Sequence, residues 1–130
     1  MSEEAKAPSK LGTIGWFDLT VPDAGAVKDF YAAVVGWKAT ETPMSDYSDY
    51  TMEAPKGPVS GICHARGGNA ELPPVWLIYL YVADLEASMA ACRDLGGEVI
   101  AGPIDYGPSG RYVVIRDPAG AHCALFQAAA

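Results

Sequence analysis

The pattern of hydrophobic and polar positions occurs twice along this chain. Each copy has an alternating, strand-like run, an aspartate, and apolar positions at helical spacing that stop at a glycine thirteen residues after the aspartate. The parts are Ile14 to Val21, Asp23 and Gly36 in the first copy, and Leu77 to Val82, Asp84 and Gly97 in the second. Such a repeat predicts one pseudo-symmetric body built from two similar units. The surface that the two halves share is the predicted place of function.

Caps and turn residues divide each copy into elements. Asp23 and Asp84 are predicted N-caps, because an aspartate side chain satisfies free amides at a helix start, and Gly36 is predicted to end the first helix in the left-handed conformation. The apolar helical positions are Val27, Phe30, Tyr31 and Val34 in the first copy and Leu85, Met89, Cys92 and Leu95 in the second. The other predicted strands are Trp37 to Thr42, Tyr47 to Glu53, Val59 to Ala65, Glu98 to Ala101, Arg111 to Arg116 and Ala121 to Gln127. The order predicts an α+β fold of two βαβββ modules.

The predicted modules span about residues 12–68 and about residues 74–127. Each half alone would be marginal in size, so residues 12–130 are predicted to form a single domain. Residues 1–11 are predicted to be a flexible polar tail. Residues 102–110, rich in glycine and proline, are predicted to be a loop.

Period-two alternation assigns the strand residues to two faces. The helix-facing residues, predicted to be core, are Phe17, Leu19, Val21, Ile78, Leu80 and Val82. The opposite face carries Trp16, Asp18, Thr20, Leu77, Tyr79 and Tyr81, with His122, Ala124 and Phe126 from the last strand. Arg111 and Tyr112 are expected at the rim of this second face. Tyr106, in the predicted loop, is either a lid residue or a surface ring.

Composition narrows the classes of function. The formal net charge is −7 and the pI is near 4.6, so a nucleic-acid partner is not expected. No apolar run is long enough for a membrane span, and the first residues show no export signal. The three cysteines fit no paired spacing, which favours a reducing, cytoplasmic setting.

The motifs, in this order, resemble the vicinal oxygen chelate superfamily, the glyoxalase, bleomycin-resistance and extradiol-dioxygenase group. The resemblance covers about residues 12–127. It rests on Trp16 to Asp23, on Phe30-Tyr31 followed by Gly36-Trp37, on Leu95 to Gly97, and on Asp117-Pro118-Ala119-Gly120. It implies an open, curved half-barrel with helices outside and a ligand cleft within. It also implies a homodimer, because family members commonly dimerise.

Chelating members of this family carry His, Glu or Gln on the first and last strands of each module. The resemblance places these positions at Trp16, Leu77, Ala124 and Gly61. None of the four residues offers an oxygen or nitrogen side-chain ligand of the kind a divalent cation requires. His64 and His122 lie beside cysteines, but strand neighbours point to opposite faces and cannot share one site. The sequence therefore predicts neither a metal nor another cofactor.

A cleft without metal ligands would be walled by aromatic rings with a few polar groups. The candidate ligand-binding residues are Trp16, Asp18, Leu77, Tyr79, Tyr81, Tyr106, Arg111, Tyr112, His122 and Phe126. This composition favours a small-molecule binding protein of the bleomycin-resistance type, whose partner is an aromatic or cationic organic ligand. The alternative is a metal-independent enzyme in which Asp18 or His122 acts as the general base on a small carbonyl or aromatic substrate. A metal-dependent lactoylglutathione lyase or dioxygenase is a third, less favoured reading.

Several candidates also have structural explanations. Trp16 is also explained as packing that fills the empty metal position, and Asp18 as a solvated group or a partner of Arg111. Tyr79 and Tyr81 are equally suited to a dimer interface.

Overall fold

The elements follow one another in the predicted order. In a computed structural model that describes residues 10–129, module one has β1 (Ile14–Val21), α1 (Ala24–Val35), β2 (Lys38–Pro43), β3 (Ser48–Ala54) and β4 (Gly57–His64). Module two has β5 (Trp76–Tyr81), α2 (Leu85–Asp94), β6 (Glu98–Asp105), β7 (Gly110–Arg116) and β8 (His122–Ala128). The α+β class and the duplicated βαβββ order are confirmed.

The contacts divide the described chain into two compact units. Residues 16–76 form one unit, and residues 10–15 group with residues 77–129 in the other. Residues 12–15 thus group with the second unit by their contacts, while the bounds of the two sequence modules stay a prediction. The reason is backbone pairing, since Gly12 N donates to Tyr81 O at 2.8 Å and Tyr81 N donates to Thr13 O at 3.1 Å. Most of the predicted tail, residues 1–9, lies outside the described residues.

Module one is a four-stranded sheet in the order β2-β3-β4-β1. β1 runs parallel to β4, with Leu19 beside Ile62, and the other pairs are antiparallel. The core of the module lies on the α1 side of the sheet and consists of Leu19, Val21, Ala24, Met52 and Ile62. Val27 and Tyr31, at helical spacing on α1, pack against it.

Module two repeats this plan in the order β5-β8-β7-β6. β5 runs parallel to β8, and β7 pairs antiparallel with β8 and β6. Its core, on the α2 side, consists of Leu85, Met89, Val113 and Leu125, with Leu80, Val82, Val99, Ile115 and Cys123 packed around it. Neither helix in the described part of the chain is long and apolar enough to cross a membrane.

The predicted helix caps are present. Asp23 Oδ1 accepts from Ala26 N at 3.1 Å, and Asp84 Oδ1 accepts from Ala87 N at 3.2 Å. Gly36 has φ +88°, the left-handed conformation that costs glycine least. The assignment of Leu95 to the apolar helix face is wrong: α2 ends at Asp94, and Leu95 is 76% exposed.

Two other expectations need correction. Phe17 is 43% exposed and is not core, although Leu19 and Val21 on the same strand face are buried. Much of the predicted loop is strand, because β6 continues to Asp105 by pairing Ile104 with Tyr112 and Asp105 with Arg111. A register shift between Ala101 and Ile104 absorbs the glycine and proline that suggested a loop.

Candidate functional site

Module two carries a cluster of aromatic rings on the sheet face that points away from α2. Its members, called the aromatic face below, are Tyr79, Tyr81, Tyr106, Tyr112 and Phe126. Strand register brings them together, since Phe126 lies beside Tyr81 on one side and beside Tyr112 on the other. They alternate with Leu80, Val113 and Leu125, which pack toward α2.

The rings of the aromatic face contact one another edge to face or tilted. Centroid distances are 5.5 Å for Tyr79–Tyr112, 6.3 Å for Tyr81–Phe126, 6.1 Å for Tyr106–Tyr112 and 6.4 Å for Tyr106–Phe126. These distances lie in the favourable range for aromatic pairs. Tyr79, Tyr112 and Phe126 are buried, whereas Tyr106 is 61% exposed. The cluster is thus a buried ring layer with one ring open to solvent.

Tyr106 is held by backbone hydrogen bonds. Its N donates to Gly110 O at 2.8 Å, and its carbonyl oxygen accepts from Ser109 N at 3.4 Å across the short 3-10 helix Gly107–Ser109. Tyr106 lies between the end of β6 and this 3-10 helix, and its ring contacts those of Tyr112 and Phe126. Of the two sequence-based alternatives for Tyr106, the contacts describe a surface ring that is backed by buried rings.

Gly15 makes room for Tyr81, a role that the sequence reasoning missed. A Cβ at residue 15 would lie 2.2 Å from Tyr81 Cζ and 2.3 Å from its hydroxyl oxygen. Any side chain there would collide with the ring. The signal in the sequence was a glycine inside a strand-like run, which often marks a close approach of another group.

Arg111 is placed differently from the prediction. Its guanidinium hydrogen-bonds and ion-pairs with Glu86 on α2. Its strand position alternates with Tyr112, so it lies on the helix side and is not a rim residue of the aromatic face.

His122 shares the strand face of Ala124 and Phe126 but lies far along β8 from the exposed ring. Four residues separate it from Phe126, about 13 Å at about 3.3 Å per strand residue. It is half-buried and stands beside Arg116 in register. A ligand on Tyr106 would therefore lie outside hydrogen-bond reach of His122, whose catalytic role stays a prediction.

In module one, Trp16 and Asp18 form a pair on the face that points away from α1. Trp16 Nε1 donates to Asp18 Oδ1 at 2.8 Å, and both residues are partly buried. Asp18 stands beside Gly61 in register. A Cβ at residue 61 would lie 2.2 Å from Asp18 Oδ1. The carboxylate therefore fills the space that a side chain at position 61 would need.

Polar groups surround the end of β4 next to this pair. Asp49 accepts from the backbone N of His64 at 2.8 Å and lies 3.4 Å from His64 Nδ1. Burial raises the pKa of the Cys63 thiol, and the nearby carboxylates of Asp18 and Asp49 raise it further. Cys63 is therefore a protonated, weakly nucleophilic thiol at neutral pH.

The four positions at which the resemblance implies metal ligands carry residues without a side-chain ligand for a cation. Leu77 and Ala124 are buried apolar side chains, and Gly61 has no side chain. Trp16 presents only an N–H donor, which Asp18 accepts. Within residues 10–129 no group of three or more His, Cys, Asp or Glu side chains could hold a metal ion. This donor set does not fit a divalent cation.

The repeated modules are matched by one family model. The model of the Glyoxalase/Bleomycin resistance protein/Dioxygenase superfamily covers residues 13–124. The chain belongs to this superfamily. Within it, the protein is 35% identical over 122 residues to "Putative glyoxylase CFP32" of Mycobacterium tuberculosis (strain CDC 1551 / Oshkosh), covering 92% of this chain and 47% of the relative. It is 33% identical over 129 residues to anthracycline biosynthesis protein DnrV of Streptomyces peucetius, covering 89% of this chain and 47% of the relative.

This superfamily member thus spans about half the length of these curated relatives. Among solved structures, Streptomyces coelicolor methylmalonyl-CoA epimerase in complex with 2-nitronate-propionyl-CoA matches with a TM-score of 0.56 and 22% identity, over 92% of this chain and 99% of that chain. The epimerase from Mycobacterium tuberculosis matches with a TM-score of 0.56 and 17% identity, over 95% and 93%. These likenesses support the fold.

Proposed function

We propose that this protein binds a small planar aromatic molecule on the aromatic face of module two, without a metal ion. The observation that carries the proposal is the exposed ring of Tyr106, which is backed by the buried rings of Tyr112 and Phe126. A flat ligand gains stacking area on such a ring, and the buried layer beneath restrains the ring's own motion.

The arrangement differs from an ordinary core cluster. Core rings are covered on all sides, whereas Tyr106 leaves 61% of its surface to solvent at the end of a hydrogen-bonded turn. An exposed aromatic group next to buried ones is typical of binding surfaces.

Relatives and charge indicate the ligand class. Two relatives are named for anthracycline biosynthesis, and anthracyclines are built on fused planar rings. The net charge of −7 attracts a cationic compound over an anionic one. The proposed ligand is accordingly a fused-ring aromatic molecule, bound more tightly when it carries a positive charge.

The proposal includes no metal ion because of the side chains at the four expected metal positions. Trp16, Leu77, Ala124 and Gly61 supply no ligand atoms for a cation, so recognition has to come from rings and hydrogen bonds. A chelator should therefore leave the Kd unchanged.

The test is a calorimetric titration with two planar probes, the cation acridine orange and the anion anthraquinone-2-sulfonate. We expect one binding site, with a lower Kd for the cation at low salt and an unchanged Kd in EDTA. Tyr106→Ala should raise the Kd about 3- to 10-fold, the equivalent of one aromatic contact.

A matched control is available in module one. Phe30 is 57% exposed and makes one edge-to-face contact with Tyr31 at 5.1 Å, so Phe30→Ala removes a comparable exposed ring. Its Kd should equal that of the wild type. Failure of both probes to bind, or equal Kd values for Tyr106→Ala and the wild type, would overturn the proposal. Loss of binding in EDTA would overturn its metal-free part.

A further inference from the structure

The unit of residues 16–76 contains a pocket of about 300 Å³ on the same side of the module-one sheet as α1. It is lined by Phe17, Trp37, Val59, Ser60 and Trp76. Phe17 was expected to be core, but it is 43% exposed and forms part of this wall. Among residues 10–129, no charged residue lines the pocket. The volume suits a molecule of one or two rings.

The aromatic wall of the pocket is fixed by contacts behind it. Trp37 and Trp76 meet edge to face at 6.0 Å, and Tyr31 contacts both rings, at 5.9 Å and 5.3 Å. Trp76 Nε1 donates to the hydroxyl of Tyr31 at 3.2 Å, so this polar group is already used. The wall therefore presents rigid ring surfaces and no indole donor from Trp76.

Ser60 supplies the pocket with one polar group. The residue is 2% exposed, and among the described residues its Oγ has no hydrogen-bond partner. Buried hydroxyls in native proteins are nearly always paired, so a hydroxyl left over in a pocket wall is a candidate contact for a ligand. It stands beside Met52 in register, on the side of the sheet that faces α1.

We propose that this pocket is a second ligand site, separate from the aromatic face, for a small uncharged aromatic molecule that carries one hydroxyl or carbonyl group. The ring packs between Phe17 and the tryptophan wall, and the polar group hydrogen-bonds with Ser60 Oγ. A charged ligand would be disfavoured, because its charge would lose water without gaining a countercharge. Because the pocket wall offers the one buried hydroxyl of Ser60, it favours a ligand whose single polar group is placed to reach that hydroxyl.

The test compares phenol with toluene, two probes of similar shape that differ in the hydroxyl. Binding is followed by the three indole N–H resonances in a ¹⁵N–¹H NMR titration, since the chain has three tryptophans. We expect phenol to shift the resonances of Trp37 and Trp76 and to leave Trp16 unmoved. Phenol should bind about 5-fold more tightly than toluene, the equivalent of one neutral hydrogen bond.

Variants separate the two contacts. Ser60→Ala should abolish the preference for phenol while retaining toluene binding, and Phe17→Ala should weaken both. Tyr106→Ala should change neither, so failure of this inference is distinguishable from failure of the proposed function.

Three outcomes would overturn the inference. The first is that phenol leaves the resonances of Trp37 and Trp76 unmoved. The second is that Ser60→Ala keeps the preference for phenol. The third is a concentration-dependent dimer that Phe17→Ala dissociates and whose formation excludes phenol, since the pocket would then be a contact between two copies of this chain.

Discussion

Gly61→Ala is expected to destabilise the fold through one neighbour, the carboxylate of Asp18. The new Cβ would lie 2.2 Å from Asp18 Oδ1 and 3.3 Å from its Cγ. Real Cβ atoms do not approach so closely, and a short aspartate side chain has few ways to retreat. Asp18 must therefore rotate and give up the 2.8 Å hydrogen bond from Trp16 Nε1.

The magnitude follows from two opposing contributions. A hydrogen bond to a charged group contributes about 1.5–3 kcal/mol. Replacing glycine by alanine lowers the entropy of the unfolded chain and returns about 0.5–1 kcal/mol. The free energy of unfolding of Gly61→Ala should therefore fall by about 1–2 kcal/mol. In an Asp18→Ala background neither the collision nor the bond exists, so the same change should stabilise by about 0.5–1 kcal/mol.

The assay is a double-mutant cycle on four proteins: the wild type, Gly61→Ala, Asp18→Ala and the double variant. Urea unfolding followed by tryptophan fluorescence and circular dichroism gives the free energy of unfolding of each. The expected coupling energy between the two positions is about 2 kcal/mol. A coupling energy below about 0.5 kcal/mol would refute the reasoning, because the two changes would then be independent.

Three further predictions concern other parts of the chain. Burial raises the pKa of the Cys63 thiol above its ordinary value of 9.0, so this thiol ionises first in the unfolded chain and the free energy of unfolding should fall as the pH rises above 9.0. Urea unfolding from pH 7 to 10 should show a smaller fall for Cys63→Ala than for the wild type, and an equal fall for the two proteins would contradict the assignment. Gly25→Ala should raise the free energy of unfolding by about 0.5–1 kcal/mol, because a Cβ at residue 25 would make only ordinary van der Waals contacts, the nearest at 3.6 Å, one of them with the hydroxyl of Tyr50. A lower midpoint of thermal unfolding for this variant would contradict the prediction. Arg111→Ala should leave the Kd for acridine orange unchanged, since the guanidinium pairs with Glu86 on the helix side. A higher Kd for this variant in calorimetry would show that Arg111 contributes to binding.

Local patterns predicted most of the fold. Asp23 and Asp84 cap their helices, because an N-cap acts within three residues of itself. The alternation in β1 and β5 correctly assigned Leu19 and Leu80 to the sheet faces that pack against the helices, because the two-residue period of a strand is a property of the backbone.

Several failures involve lateral neighbours, which a single sequence does not specify. Phe17 shares the strand face of Leu19 and Val21, yet it is 43% exposed and is not part of the buried core of module one. Arg111 found its partner Glu86 twenty-five residues away. The Asp18–Gly61 contact requires the parallel register of β1 and β4, which only the structure supplies.

β1 is divided between the two units, and this division determines where the chain can be split into intact fragments. The repeat in the sequence suggests two exchangeable halves that separate at the connector after residue 68. A fragment made that way, starting at residue 74, would lose the bonds that Gly12 and Thr13 make to the backbone of Tyr81. The smallest fragment that keeps module two intact is therefore not one continuous stretch of the chain.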